Sequence, residues 1–557
     1  MALDRAIYKA FEQILGARNI SEDPGVLETY RCVPAQSSAH LGPTSSRTPM
    51  PIAVLLPGST KEVQAVIRLC NKHKIPYKAS STFWSAHGYV DQDNSIQIDM
   101  RRMKNWSIDP KNMTMTCESQ INGATAMAEA MKYGLTCNVP GVGCSSSMVA
   151  NVSGWGGPGP STVYTGSAPE NLLSFEWVLP NGDIIHTGSA GAGLPAFTDE
   201  GPGPSTRAIM RGGHGLRGEF GICTSITFKL SPWPGPTYLK TTGHAPAYFA
   251  DLPENIRCFT ICFPDWDVWG QAMMDLCESD IVFAAHRQFS MFGRDVKAAM
   301  LEILLDPDMQ LADIEPLLKT EKVQKTTKSI EKEMYVVIAG MTPEDTEWKI
   351  EALKKIVERY NGWFDERCNE EDMEKWMQTY FIRLGHKNLN YVMCGAYEGT
   401  FGLFMGNLLY SVQICEEAFQ LKKEWEEKDT FLARVGGDSS MGGLSAMGGG
   451  AGPMLWEFFA HFDAHDKSSV TGLCKFVDEV SSVFQGSKGL GRDAFCRQCA
   501  DLRKLDGYGH THEVMNEMYK DAPNPSMFIY QYKVQEQFNP QKLWGSYYPT
   551  LDPKALN

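Results

Sequence analysis

"PIAVLLPGSTKEVQAVIRLCNKHKIPYKAS", residues 51–80, is the stretch from which the fold is read. It opens on an apolar run, breaks at Pro57-Gly58-Ser59, and continues with apolar positions at helical spacing. The pattern predicts strand, capped helix, strand. Ser59 or Thr60 supplies the cap, and Glu62 places negative charge in the first helical turn. Downstream, "SIQIDMRRMKNW" carries Ile96, Ile98 and Met100 in alternation, which predicts a further short strand. The serines, aromatics and histidine between the two strands, "STFWSAHGYV", therefore form a loop.

The whole chain sets the frame around this unit. At roughly 100–200 residues per domain, its length implies two to four domains. Hydrophobic residues make up 43% and charged residues 21%, a globular balance that argues against long disorder. A formal net charge of -14 makes binding to phosphate backbones unfavourable, so nucleic acid is not an expected partner. "MALDRAIYKAFEQILGARNISEDPG" has an apolar face at helical spacing but carries acids, and reads as an amphipathic helix rather than a leader. No run of about 18 apolar residues predicts a membrane span. The expected location is cytoplasmic, with the 15 scattered cysteines as buried reduced thiols. Cys496 and Cys499 form a lone CxxC, with no second pair to complete a zinc site.

Beyond residue 113, "MTMTCESQINGATAMAEAMKYGLTCNVP" predicts a strand, a turn at Asn122-Gly123 and a helix ending at Gly134. A glycine- and serine-rich segment follows, then a hairpin in which "SFEWVL" and "DIIHTG" meet across Pro180-Asn181-Gly182. Small side chains let backbone amides approach a bound group closely. "RGEFGICTSITFKL" runs from a glycine-rich turn into an alternating strand, and "SPWPGP" marks a boundary near residue 235. Two similar units follow, each predicting strand, polar opening, helix and strand, and so a mixed sheet backed by helices.

The order of elements from 51 to 230, with "IDMRRM" followed by "WSID", then "WVLPNGDIIHTG" and "RGEFGICTSITFKL", resembles the FAD-binding domain of the vanillyl-alcohol oxidase and p-cresol methylhydroxylase family. The resemblance implies an α+β fold: a two-subdomain FAD-binding domain and an α+β cap domain with a mixed or antiparallel sheet. It places the FAD domain at 1–235 with its core at 51–230, the cap at 236–500, and a C-terminal segment, 501–557, returning to the FAD domain. "FNPQKLW" near the end is similar to the family's closing segment.

The same resemblance implies FAD as cofactor. Backbone amides of Ser81 through Gly88 would face its diphosphate, with hydroxyls from Ser80, Ser81 and Thr82. Where the family commonly has glycines, this loop has Phe83, Trp84, Ser85 and Ala86, which puts the amide geometry in question. Family members differ in attaching the flavin covalently, so His87 and Cys144 are both candidates, and so is no bond at all. Pro140, Gly141, Gly143, Ser147, Asn151 and Gly154 would wrap the flavin and diphosphate, while Gly218, Gly221 and Ile222 would reach it from the other side. Ala150, Ser153 or Gly156 would lie beside the flavin, where oxygen access is decided.

On the substrate side, Tyr530, Tyr532 and Lys533 occupy a region where phenol-oxidising members place tyrosines and a cation, and would stabilise a phenolate; the alternative is a strand in which both tyrosines pack. The implied activity is hydride transfer from a small phenolic or other alcohol-type substrate to FAD, with oxygen, a protein or a quinone as acceptor. Homo-oligomerisation is compatible with this reading. A second reading is an FAD- and metal-dependent 2-hydroxy acid dehydrogenase using His510, His512 and Glu513, or His461 and His465 on one helical face. A third is a flavin-free binding protein on the same fold. The eight glycines between 436 and 452 predict a mobile loop over the site, with Met441, Met447 and Met454 lining an apolar entrance or filling core gaps.

Overall fold

A computed structural model describes residues 3–31, 48–83, 88–90, 92–139, 144–155, 159–166, 168–188, 220–242, 249–287, 332–365 and 398–405. It also describes short strands between 440 and 461 and scattered helical positions between 409 and 425, 468 and 479, and 533 and 543. Three sheets organise them. The first contains β1 (Ile20–Ser21), β2 (Ala53–Leu55), β3 (Tyr77–Ser80) and β4 (Ile96–Asp99) in the order β1-β2-β4-β3. β2 and β3 flank β4 in parallel, whereas β1 joins β2 antiparallel.

Helix α1 (Arg5–Leu15) is capped by Asp4 and buries Phe11 and Leu15, and α2 (Pro24–Thr29) is capped by Asp23. The crossover helix α3 (Thr60–His73) starts where Ser59 Oγ accepts the Glu62 amide at 3.2 Å. Glu62 reaches back to accept the Gly58 amide at 2.7 Å, and the helix buries Val63, Val66, Ile67 and Cys70. β4 is buried along its whole length, Gln97 and Asp99 included. The alternation Ile96, Ile98, Met100 therefore marks no solvent face: as the central strand of a parallel unit, β4 is covered on both sides.

The second sheet is antiparallel, with β5 (Trp106–Asp109), β6 (Thr114–Glu118), β7 (Leu172–Val178), β8 (Ile184–His186) and β9 (Ile222–Lys229) ordered β5-β6-β9-β7-β8. Helix α4 (Gly123–Met131) packs beside it, its first turn capped by Asn122 Oδ1 on the Thr125 amide at 2.9 Å. The β7–β8 hairpin turns at 180–183, where Leu179 donates to the Asp183 carbonyl and Gly182 takes φ +85.

The third sheet holds β10 (Ile256–Cys262), β11 (Val282–Arg287), β12 (Glu333–Ala339), β13 (Trp363–Phe364), β14 (Glu398–Met405), β15 (Ser440–Gly443) and β16 (Met454–His461). Its order is β13-β10-β12-β11-β15-β16-β14, and every pair in it is antiparallel, which is the antiparallel form of the mixed or antiparallel sheet expected. The two strand–helix–strand units supply its first four strands, with α5 (Trp266–Glu278) and α6 (Pro343–Arg359) as their helices. They interleave as a split βαβ arrangement.

Two local readings are corrected here. Residues 440–443, 446–447 and 450–451 of the glycine-rich segment are extended and paired, so those residues form strands rather than a loop. Glycine permits the extended conformation as readily as a turn, and the pairing of β15 with β11 and β16 fixes it. His461 ends β16, which removes it from any helical face shared with His465.

C-terminal residues meet the first two sheets. Phe538 lies with its ring 5.6 Å from Trp177 and 6.4 Å from Phe220, and the Leu543 carbonyl accepts the Tyr77 amide at 3.1 Å. Gly221, at the start of β9, has φ +121, and a Cβ there would lie 2.3 Å from the Val178 carbonyl oxygen. Gly221→Ala is expected to cost about 2–3 kcal/mol of stability, read as a lowered unfolding midpoint in denaturant.

Candidate functional site

The parallel strands β3 and β4 end side by side, with Ser80 opposite Asp99 and the Met100 amide donating to the Ser80 carbonyl at 2.9 Å. Chain leaves β3 here as Ser81, Thr82 and Phe83, and re-enters the described residues at Gly88. Gly88 runs so close to β3 that a Cβ would stand 2.3 Å from Ser80 Oγ. Gln97 pins this return: its Nε2 donates to the carbonyls of Gly88 at 3.0 Å and Lys78 at 3.2 Å, while its Oε1 accepts the Val90 amide at 3.1 Å. Trp84, Ser85, Ala86 and His87 lie outside the described residues.

Among the described residues, a hydrogen bond joins the glycine-rich segment to this loop. Ser147 donates its amide to Thr82 Oγ1 at 3.2 Å. The Ser147 hydroxyl donates to the Ser119 carbonyl at 2.6 Å and accepts the Ala150 amide at 3.3 Å, capping the short helix Met148–Ala150. One turn further on, the Asn151 amide donates to the Ser147 carbonyl and the chain widens into a π-turn over 151–155, which includes the backbone of Gly154. Thr82 and the Ser147–Asn151 turn, 65 positions apart at their contact, are therefore brought together. Pro140, Gly141, Gly143 and Gly218 lie outside the described residues, as does Gly156; Ala150 is exposed and Ser153 is buried.

Polar groups without protein partners collect in this neighbourhood. Asn151 is 2% exposed, and neither its Oδ1 nor its Nδ2 has a hydrogen-bond partner. The Ser119 hydroxyl is likewise buried and unpartnered. On the side of Gly221 and the buried Ile222, the Trp177 indole N–H is unpartnered, 2.8 Å from where a Gly221 Cβ would be. A buried carboxamide left unpaired costs free energy unless a bound group satisfies it. Donors and acceptors of this kind fit a flavin, whose ring carries both.

Cys144 is fully buried in the apolar cluster with Val139, Met148 and Val149, and burial pushes its thiol up to about 12. Attack on a flavin needs the thiolate, so this environment works against Cys144 as an attachment point. Lys533 sits exposed at a helical position, not on a strand, while Tyr530 and Tyr532 lie outside the described residues. So do His510, His512, Glu513, His465, Cys496 and Cys499; among the described residues no group of three or more His, Cys, Asp or Glu side chains is arranged to hold a metal ion. Among those residues, too, no helix is long and apolar enough to cross a membrane.

A polar cluster that sequence reading missed lies under the loop. Tyr30 donates its hydroxyl to the buried Asp99 at 2.7 Å, and Arg101 donates Nε to the same Asp99 oxygen at 2.6 Å and Nη2 to the Tyr30 oxygen at 2.9 Å. Burial first, then the bond to Asp99, pushes the Tyr30 phenol far above its ordinary value. The bond to Asp99 likewise raises Arg101. The acid inside "IDMRRM" was the available signal.

Residues 51–188 match the model of the FAD binding domain. The chain is 27% identical over 251 residues to the 4-cresol dehydrogenase [hydroxylating] flavoprotein subunit of Pseudomonas putida, covering 42% of this chain and 43% of that protein. It is 28% identical over 188 residues to the mitochondrial D-lactate dehydrogenase [cytochrome] of Arabidopsis thaliana, covering 33% and 31%. These matches span less than half the length of either relative. The crystal structure of p-cresol methylhydroxylase with substrate bound aligns over 97% of this chain and 95% of its own, with a TM-score of 0.67 at 15% identity. The chain thus carries an FAD-binding domain. Its fold is that of p-cresol methylhydroxylase.

With a thiol near 12, Cys144 holds on the order of 10⁻⁴ of its population as thiolate at pH 8. Iodoacetamide at that pH is expected to leave Cys144 unmodified in the native protein and to alkylate it once denaturant is added, as read by peptide mass spectrometry.

Proposed function

We propose that this protein is an FAD-dependent oxidoreductase that removes a hydride from a small organic substrate, phenolic or otherwise alcohol-type. The observation that carries the reading is the buried, unpartnered carboxamide of Asn151, set beside the Thr82–Ser147 contact inside the segment matched as FAD-binding. Bound FAD supplies a two-electron acceptor for the hydride. The residues that would hold it are Ser80 to Gly88 at the diphosphate and Ser147, Asn151, Gly221 and Ile222 around the flavin. Residues 1–235 would form the cofactor domain, 236–500 the cap over the substrate, and 501–557 the returning segment. Lys533, with Tyr530 and Tyr532, would hold a phenolate by charge-assisted hydrogen bonds.

Support for a phenol comes from the 4-cresol dehydrogenase relative. The D-lactate dehydrogenase relative favours a second reading, a D-2-hydroxy acid as substrate with a metal held by His510 and His512. Oxygen, a protein or a quinone would take the electrons onward. Attachment of the flavin through His87 would leave its colour in an acid-precipitated pellet.

Anaerobic mixing of the purified protein with a 4-alkylphenol is expected to bleach its visible flavin absorption. Tyr532→Phe is expected to slow the bleaching about tenfold or more with flavin content unchanged. Bleaching by D-lactate but not by the phenol, abolished by a chelator, would establish the hydroxy-acid reading instead.

A further inference from the structure

Phe83 has φ +52, in the left-handed region. For a residue with a bulky side chain this conformation is unfavourable, and glycine is the residue that adopts it freely. Something must hold Phe83 there. Its ring lies between two others: Tyr30 meets it edge-on, centroids 5.4 Å apart at 73°, and Tyr89 meets it tilted, at 5.1 Å and 57°. Edge-to-face and tilted pairs at these separations are attractive beyond the area they bury.

Tyr30 is in turn fixed at its polar end. Asp99 and Arg101 hold its hydroxyl, and Asp99 also accepts the Arg101 backbone amide at 2.9 Å. Asp99 stands opposite Ser80 at the end of the strand pair from which the loop departs. The ring that packs on Phe83 and the hydroxyl tied to β4 thus belong to one rigid side chain. Leu27, Tyr30 and Val54 form a small apolar cluster with Phe83 packed against it, so α2 and the residue after it brace the loop from below. Thr82, immediately before Phe83, accepts the Ser147 amide.

We propose that Tyr30 is a positioning residue for FAD binding: it clamps Phe83 in the left-handed conformation and so sets the direction of the Thr82 hydroxyl and the adjoining amides toward the cofactor diphosphate. An aromatic clamp does here what a glycine does by its own freedom. The inference rests on the reading that places the diphosphate at Ser80 to Gly88.

The test is moles of flavin per chain in the purified full-length protein, with far-UV circular dichroism as a check on folding. Tyr30→Leu is expected to lower flavin content at least tenfold. Phe83→Gly added to Tyr30→Leu is expected to restore at least half of it, because glycine takes φ +52 unaided. A double variant as empty as Tyr30→Leu, or a Tyr30→Leu protein with full flavin, would overturn the proposal. Should Tyr30→Leu not fold, Tyr30→Phe keeps the ring and removes the bond to Asp99; an intermediate content raised by Phe83→Gly is then expected, and no loss, or no rescue, would overturn the proposal. Thr82→Ala separates the two levels. If it keeps full flavin while Tyr30→Leu loses it without rescue, the diphosphate lies elsewhere and the placement fails with the inference. If Thr82→Ala loses flavin and Tyr30→Leu does not, the placement stands and the clamp falls.

Discussion

The hydrogen bond from the Ser147 amide to Thr82 Oγ1 is the contact on which the arrangement of the site depends. It joins a loop that leaves the parallel sheet to a helix cap beside the antiparallel sheet. Neither sheet alone builds the candidate site: the first ends in a loop, and the second in a capped turn with a buried, unpaired asparagine side chain. Ser147 is held in three directions, by Thr82, by the Ser119 carbonyl and by the Ala150 amide. Its position therefore carries the geometry of each neighbour into the others.

The same logic explains two polar side chains in the middle of a parallel sheet. Gln97 and Asp99 are fully buried on β4, where burying an unpaired polar group costs free energy. Gln97 makes three hydrogen bonds to backbone, two of them to the returning end of the loop, and Asp99 serves Tyr30 and Arg101. Both lie on the β4 face that supports the loop, while Ile96 and Ile98 join the core beneath helix α3. A strand that spent these positions on aliphatic side chains would pack as well and hold nothing in place. Burial of this kind buys specificity of loop geometry rather than stability.

Local signals in the sequence carried much of the fold. Pro57-Gly58-Ser59 with Glu62 marked the start of α3, Asn122-Gly123 marked α4, and Pro180-Asn181-Gly182 marked the hairpin, because in each case the punctuating residues act on their own neighbours. What stayed hidden depends on pairing across long separations. Tyr30 and Asp99 are 69 positions apart, and a tyrosine at the end of a short helix announces no such partner. β9 inserts between β6 and β7 in space although it follows both in the chain. The glycines around 442 and 443 read as a loop because composition describes freedom, whereas the flanking strands decide how that freedom is used. For the candidate site, glycine and serine content pointed to segments that meet in the fold, but only the fold brings Thr82 to Ser147 and leaves the Asn151 side-chain carboxamide unpaired.

Hydrogen exchange, compared between flavin-loaded protein and protein expressed without flavin, tests the central claim most directly. The account predicts slower exchange with FAD in peptides spanning 80–83 and 144–151, the two segments joined at Thr82 and Ser147. Unchanged exchange in both, with protection appearing instead only within the third sheet between 256 and 365, would contradict it.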